Sequence, residues 1–216
     1  RSNSENTTTG EQHKGKRAER FLPNAENRFS KEKYFTACDS LIITGNGDDF
    51  MQKNAFHTLS YGVYAVTTMD GERPVGCIAN SAMQITSQPP TLAISINQQN
   101  YTHDIIQKTG KLAVCVLPEQ TDLSVIGTFG FQSSREVEKF AEIAYDQKDG
   151  LPVLKQCCAW FTLEVVQQMN AGTHTVFLAK VLDCDCTTAQ QPMTYAYYHN
   201  VLKMKSPKAA PTYVEE

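Results

Sequence analysis

Five amide- and hydroxyl-bearing residues, Asn80, Ser81, Gln84, Thr86 and Ser87, fall within eight positions of a segment that otherwise reads as β-strand. Each such group needs a hydrogen-bond partner if buried, and a polar ligand can supply several at once. The structural alternative is an edge strand with a solvated face that ends in a Pro89-Pro90 turn. Composition leaves both open. A second polar run, Asn97-Gln98-Gln99-Asn100-Tyr101-Thr102, leads into a helix. There, backbone N–H groups, the Thr102 hydroxyl and the positive end of the helix dipole converge, which suits a phosphate. Asp104 in the first turn competes for the same field. Asn100-Tyr101-Thr102 also matches a glycosylation sequon, which has no consequence in a cytosolic chain.

Such loops need a sheet to present them, and the sequence after Leu59 supplies one. Val63 to Thr68 is β-branched and aromatic, ends at Met69-Asp70-Gly71-Glu72, and reads as a hairpin with Val75 to Ile85. Thr91 to Asn97 alternates, with Leu92, Ile94 and Ile96 on one face. Lys111 to Leu117, Trp160 to Gln168 and Thr173 to Cys186 bring the expected strands to six. The last is apolar at both parities, as in a strand between a core and a subunit interface. Helices are few. Thr102 is expected to cap one that runs to Lys108 and stops at Gly110, and Thr121 a second. Ser133 and Glu136 have capping-box spacing for a third ending near Phe140. Pro192 opens a last helix with Tyr195, Tyr198, Val201 and Leu202 on one side. This pattern predicts a mainly β, six-stranded Greek-key barrel; a doubly wound parallel sheet needs a long helix after every strand.

Residues 1–50 have a different texture, rich in Ser, Asn, Thr, Lys, Arg and Glu, with one short apolar run at Leu41-Ile42-Ile43. Such a stretch buries too little to offset its ordering entropy unless it docks. It is expected to be a polar tail, flexible or foreign to the domain, with residues 51–216 forming the folded unit from a natural start at Met51. An arm docked on the domain is the alternative. The net charge of −3 gives no basic field for nucleic acid or an anionic membrane. No stretch approaches the ~20 apolar residues of a membrane span, and no signal-peptide hydrophobic region opens the chain. The seven cysteines are an odd number without a Cys-x-x-Cys, and Cys184-x-Cys186 on a strand points both thiols to one face. Reduced thiols, no metal site and a cytoplasmic location are the expectation.

Several motifs in one order then become specific. They are Tyr61-Gly62-Val63-Tyr64, Ile78-Ala79-Asn80-Ser81 with Gln84 to Pro90, Ser95-Ile96-Asn97 with Asn100-Tyr101-Thr102, Phe129 to Arg135 with Lys139-Phe140, and Gly172-Thr173-His174-Thr175 with Phe177. Together they resemble the flavin-reductase-like family of FMN-binding split barrels, in particular the flavoredoxins and the FMN domain of high-molecular-weight rubredoxins. The C-terminal pattern from Tyr197-Tyr198-His199 through Lys205-Ser206-Pro207-Lys208 to Ala210-Pro211-Thr212-Tyr213 resembles the same branch, so the likeness covers about Phe56 to Tyr213.

The resemblance implies a homodimeric split barrel with FMN near the subunit interface. Asn80, Ser81, Thr86 and Ser87 are then expected at the ring and ribityl chain, Asn97, Asn100 and Thr102 near the phosphate, and Gln84 and Tyr101 among the cofactor-binding residues. Arg135 and Lys139 match a short helix that closes the site and could neutralise the phosphate; a solvated face shared with Glu136 and Glu138 is the alternative. His174 stands where the family keeps a histidine near the exposed flavin face, which makes it the candidate catalytic residue. Tyr195, Tyr197 and Tyr198 are either an aromatic lid or the apolar face of a packed helix. The implied function is electron transfer from NAD(P)H or a reduced carrier through FMN to a flavin, iron or redox-protein acceptor. The rivals are an FMN-bound carrier without NAD(P)H turnover and a flavin-free interaction module. No Gly-x-Gly-x-x-Gly run follows a strand, so a nicotinamide would have to stack on the flavin itself. No cysteine-rich module follows Tyr213 here, so a rubredoxin-like partner is expected on another polypeptide, and Ala179 stands where relatives often have Gly.

Overall fold

The structure, a computed structural model, describes residues 53–207 and 210; the expected tail of residues 1–50 lies outside the described residues. After a 3-10 turn at Lys53–Thr58 come β1 (Tyr64–Asp70), β2 (Arg73–Ala79), β3 (Ala82–Ser87), β4 (Pro90–Asn97), α1 (Tyr101–Thr109) and β5 (Lys111–Val116). Then follow α2 (Leu123–Phe131), β6 (Tyr145–Lys148), β7 (Leu151–Leu154), β8 (Ala159–Asn170), β9 (His174–Cys186) and α3 (Tyr195–Asn200). The architecture is the expected mainly β, antiparallel split barrel. Seven strands form one sheet in the order β2-β1-β5-β8-β9-β4-β3, and β6 and β7 form a separate hairpin.

Side-chain alternation divides the core between the two faces of this sheet. Val66 of β1, Leu112 and Val114 of β5, Ile94 and Ile96 of β4 and Phe177 of β9 pack in one cluster with Ile106 of α1. The opposite parity, Ala65 of β1 with Ala113 and Cys115 of β5, packs against Ile126 and Phe129 of α2, Leu151 and Val153 of β7, and Tyr198 of α3. Strands covered on both faces read as continuous apolar runs.

Among the described residues, nine strands replace the six expected, for two reasons. The stretch expected as one strand from Val75 to Ile85 breaks at Asn80-Ser81: β2 pairs with β1 at one edge, whereas β3 pairs with β4 at the other. Also unforeseen is the β6–β7 hairpin, whose turn Asp149-Gly150 has positive φ at both residues, 50° and 75°. Asp-Gly suits that conformation and was a readable signal.

The helices correct the sequence reading at their starts. Asn100, not Thr102, is the N-cap residue of α1, and Thr102 lies inside the helix, 1% exposed. Gly110 ends α1 in the left-handed conformation as expected, its N–H donating to the Ile106 carbonyl. Asp122 rather than Thr121 caps α2, and the last helix, expected to open at Pro192, begins at Tyr195 with Thr194 as its cap. The expected helix from Ser133 to Phe140 does not form. Arg73 takes the carbonyls of Ser134 and Val137, and the Lys139 ammonium is drawn inward to other backbone carbonyls. These tertiary bonds consume acceptors that a helical ladder would use.

Candidate functional site

Two connected cavities open where the end of β2, the start of α1, the end of α2 and the C-terminal segment meet. The first is largely apolar, walled by Ile78, Ile126, Phe129, Phe131, Tyr195 and Tyr198. Asn80, Ser95, Asn97, Asn100 and His174 bring polar groups to it. The second, of about 580 Å³, has a mixed lining with more hydroxyl, amide and ammonium groups: Gln99, Asn100, Tyr101 and Thr102 from the start of α1 face Gln132, Ser133, Ser134 and Lys139. Cys77, Asn100, Gly130, Phe131 and Pro207 line both. No carboxylate lines either cavity among the described residues. A ligand with a flat apolar body and an anionic end matches this division.

The polar end is built by the breakdown of regular structure. The Asn97 side chain accepts from the Gln99 N–H at 2.8 Å and the Asn97 carbonyl accepts from the Asn100 N–H at 3.0 Å, which turns the chain into α1. The first residues of the helix, Tyr101 and Thr102, then line the second cavity. Lys139 is 4% exposed, and its ammonium donates to the carbonyls of Gly76 at 2.9 Å and Phe129 at 3.1 Å. Two of its three N–H bonds are thereby spent inward, leaving one for a ligand. Burial lowers its pKa from 10.5 to about 8, with the Cys77 thiol acting in the opposite direction. Burial likewise pushes Cys77 up to about 11, against the pull of Lys139 and of a hydrogen bond with Thr102.

At the apolar end, His174 pairs across the ladder with Asn97, and its Nδ1 shares a hydrogen bond of 2.9 Å with Thr173 Oγ1. Ser81 is half-buried and donates to Asn80 Oδ1 at 2.8 Å, while its carbonyl accepts from the Ser95 N–H at 2.9 Å.

The structure therefore brings together Asn80, Asn97, Asn100, Tyr101, Thr102, Lys139 and His174, with Ser81 directly behind Asn80. It does not bring Gln84, Thr86 and Ser87 to these cavities. All three are exposed on edge strand β3, where Gln84 Nε2 donates to the Thr86 carbonyl at 3.2 Å and the hydroxyls of Thr86 and Thr91 meet at 2.6 Å. The bend at Asn80-Ser81 carries them to the far edge of the sheet. Arg135 lies outside the cavity walls: its NH2 donates to Asp104 Oδ2 at 2.6 Å, its NH1 to the Gln99 carbonyl at 3.0 Å, and its guanidinium sits over the Tyr101 ring at 5.2 Å. Asp104 thus takes the arginine.

Cys77, Phe131 and Pro207 belong to the walls and were not among the expected contacts, whereas Tyr195 and Tyr198, two of the three tyrosines weighed as an aromatic lid, also line them. Cys77 was legible in principle, being two residues before Ala79 on the same strand face. His103 was also missed; it is buried in α1 with Nε2 at 2.9 Å from Thr175 Oγ1. The six described cysteines are free, and no group of three or more His, Cys, Asp or Glu could hold a metal among the described residues. No described helix is long and apolar enough to cross a membrane.

Comparison with known proteins gives one answer. Residues 56–204 match the Flavin reductase like domain family. The chain is 46% identical over 165 residues to the High molecular weight rubredoxin of Moorella thermoacetica, covering 76% of this chain and 72% of that protein. It is 38% identical over 167 residues to the Ferric-chelate reductase (NAD(P)H) of Archaeoglobus fulgidus, covering 76% of this chain and 99% of that protein. The solved structure of Flavin reductase PheA2 in its native state superposes with a TM-score of 0.59 at 29% identity, over 68% of this chain and 93% of that one.

Proposed function

The chain belongs to the flavin-reductase-like family, and on that premise we propose that it is an FMN-binding oxidoreductase that passes electrons from NAD(P)H to a flavin, ferric iron or a redox protein. The observation that carries this reading is the pair of adjoining cavities at the α1 terminus, walled by aromatic rings and amides at one end and by hydroxyls, amides and the buried Lys139 at the other. The group itself would supply the redox chemistry, accepting a hydride and releasing electrons.

The chain's own residues bind, orient and shield. Asn80 and Asn97 offer amides to the ring edge and ribityl hydroxyls, with Ser81 fixing the Asn80 rotamer. The first amides of α1, the Thr102 environment and Lys139 hold the phosphate end. Phe131, Tyr195 and Tyr198 exclude water from the ring. His174 is buried in the wall of the apolar cavity, where it can hold a proton near the acceptor. Arg135 positions Tyr101 and α1 instead of meeting the phosphate directly.

The protein acts as a homodimer in the cytosol, in this reading. Met83 and Ile85 on β3, Val166 and Met169 on β8, and Leu182 on β9 are exposed apolar residues on neighbouring parts of the sheet, which a second copy would cover. Gln84, Thr86 and Ser87 then fall at that interface.

Kinship with a protein named for rubredoxin favours a second reading, an FMN-bound electron carrier without NAD(P)H turnover. Anaerobic mixing with NADH and with NADPH, followed at the flavin absorbance, separates the two. Bleaching within turnover times supports the reductase. Bleaching only by a chemical reductant or a reduced carrier protein supports the carrier, and a colourless protein that cannot be loaded with FMN refutes both.

A further inference from the structure

Helix α3 places Tyr195 and His199 four residues apart and therefore on one face. Beyond it the chain reverses at Lys203, whose φ is 55°, and residues 203–207 run back over the helix. The Met204 N–H donates to the Tyr198 carbonyl at 3.2 Å, and the Tyr198 hydroxyl donates to the Lys205 carbonyl at 3.1 Å. This strap sets the Ser206 hydroxyl between two groups: it is hydrogen-bonded to the Tyr195 hydroxyl and lies 3.1 Å from His199 Nε2. The rings are held edge-on and stacked, with Tyr195 4.3 Å from His199, 5.9 Å from Tyr198 and 6.0 Å from Tyr61 between centroids.

The two ends of this chain of groups face different surroundings. Tyr195 lines the apolar cavity together with His174 and Asn97, and Ser206 lines the polar one. His199 is half-buried and touches solvent. The groups that face the imidazole include the two tyrosines of its own helix and the strap serine, with Lys205 next to that serine in the strap.

We propose that Tyr195, Ser206 and His199 form a proton relay from solvent into the flavin cleft, an inference that rests on the oxidoreductase reading above. Reduction of a flavin acceptor requires such a path: a hydride from NAD(P)H carries two electrons and one proton, so NAD(P)H + H⁺ + flavin gives NAD(P)⁺ and the two-proton, two-electron reduced flavin, whereas with ferric iron the same path would run outward, since NAD(P)H + 2 Fe³⁺ gives NAD(P)⁺ + 2 Fe²⁺ + H⁺. The added proton leaves His199 Nε2 for Ser206 Oγ as Ser206 gives its own to Tyr195 Oη, and Tyr195 releases its phenolic proton into the cleft. His199 is reprotonated by water. No carboxylate lines either cavity among the described residues, and His174 in the apolar one is the competing proton source, outside the path from His199 to Tyr195.

The test breaks the relay at three points: Ser206→Ala removes the link, Tyr195→Phe the inner terminus and His199→Gln the outer one. In the FMN-loaded protein, photochemical reduction is followed at the flavin absorbance while an indicator dye reports proton uptake. Uptake keeps pace with reduction in the wild type and lags by roughly tenfold or more in each variant, within the range of positioned acid–base groups. Added imidazole restores uptake in His199→Gln, and FMN affinity in that variant stays within about twofold, since His199 lines neither cavity. If uptake keeps pace in Ser206→Ala and Tyr195→Phe, the relay is wrong. If the variants lose FMN affinity and imidazole restores nothing, the cluster only fastens the strap, which also overturns the proposal. A flavin-free readout keeps this apart from failure of the functional reading. By NMR, titration of His199 shifts the Tyr195 ring resonances in the wild type and not in Ser206→Ala, and a wild type without that coupling has no relay whether or not it binds flavin.

Discussion

Replacing Lys139 by Met tests the polar end of the site with little damage to the fold. The ammonium spends one N–H on the ligand in the proposed complex, and a charge-assisted bond to a phosphate has a net value of about 1.5–3 kcal/mol. At 1.4 kcal/mol per decade, FMN affinity should fall by about tenfold to a hundredfold. Riboflavin, which lacks the phosphate, should bind nearly as before. Stability should survive for a reason visible in the structure. Holding the ammonium inside shifts its pKa from 10.5 to about 8, equivalent to about 3 kcal/mol of burial cost that Met removes. Against this stand the lost bonds to the Gly76 and Phe129 carbonyls, of which Gly76 keeps the Ser134 hydroxyl at 3.3 Å. The assay is paired fluorescence-quenching titration of wild type and variant with FMN and riboflavin, repeated at alkaline pH. The wild-type preference for FMN should fade as pH rises through about 8, where Lys139 loses its charge, and the variant should lack that dependence. An unchanged preference in Lys139→Met would falsify the assignment and point to Arg135 released from Asp104.

Asn80→Ala should weaken FMN and riboflavin alike in the same titrations, because its contacts are to parts shared by both; a loss confined to FMN would place Asn80 at the phosphate. Gly76→Ala brings a Cβ to 2.6 Å from Phe129 Cε1 and 3.1 Å from the Val66 carbonyl, so urea unfolding should show a loss of about 1–3 kcal/mol, and no loss would mean that Phe129 swings away freely. Stability against pH should rise from about pH 8 to 9, because the unfolded chain then holds the Lys139 proton that the folded protein has released. Above pH 9 the raised Cys77 acts oppositely, the folded protein keeping a proton that the unfolded chain loses, so the rise should flatten, and Lys139→Met should show only a fall. Met83→Lys on the exposed face of β3 should lower the mass seen by light scattering from dimer to monomer with an unchanged circular dichroism spectrum; an unchanged mass would move the interface elsewhere.

What the sequence made legible was periodicity. Leu92, Ile94 and Ile96 were assigned to one face and are buried there, and Gly110 ends α1 where it should. The misses arise where tertiary bonds outbid local preference. Ser133 and Glu136 have the spacing of a capping box, yet Arg73, sixty residues earlier in the chain, takes the carbonyls that helix would need. Polar density also said nothing about direction: Asn80 and Gln84 look equivalent in sequence, but the two-residue link between β2 and β3 sends one into the cleft and the other along an exposed edge. Lys139 reads as a surface charge among glutamates and is in fact a core residue. No local pattern announces a buried cation whose partners are backbone carbonyls on two distant elements.

That two-residue link has a consequence for the order of folding. β2 and β3 are neighbours in sequence but occupy opposite ends of the strand order, so Asn80-Ser81 acts as a clasp that fastens the sheet into a hoop. The clasp can seat only after β1, β5, β8, β9 and β4 have found one another, since Ser81 is held by Ser95 of β4 while Ala79 is held by Tyr64 of β1. Such closure is non-local and slow compared with the ladders it joins. The residues proposed to grip the flavin therefore acquire their shape last, and an unfinished hoop offers the cofactor no seat. A permuted chain with its new ends at this link would retain every ladder of the sheet and lose the clasp, and with it the cleft, while its strand content stayed intact.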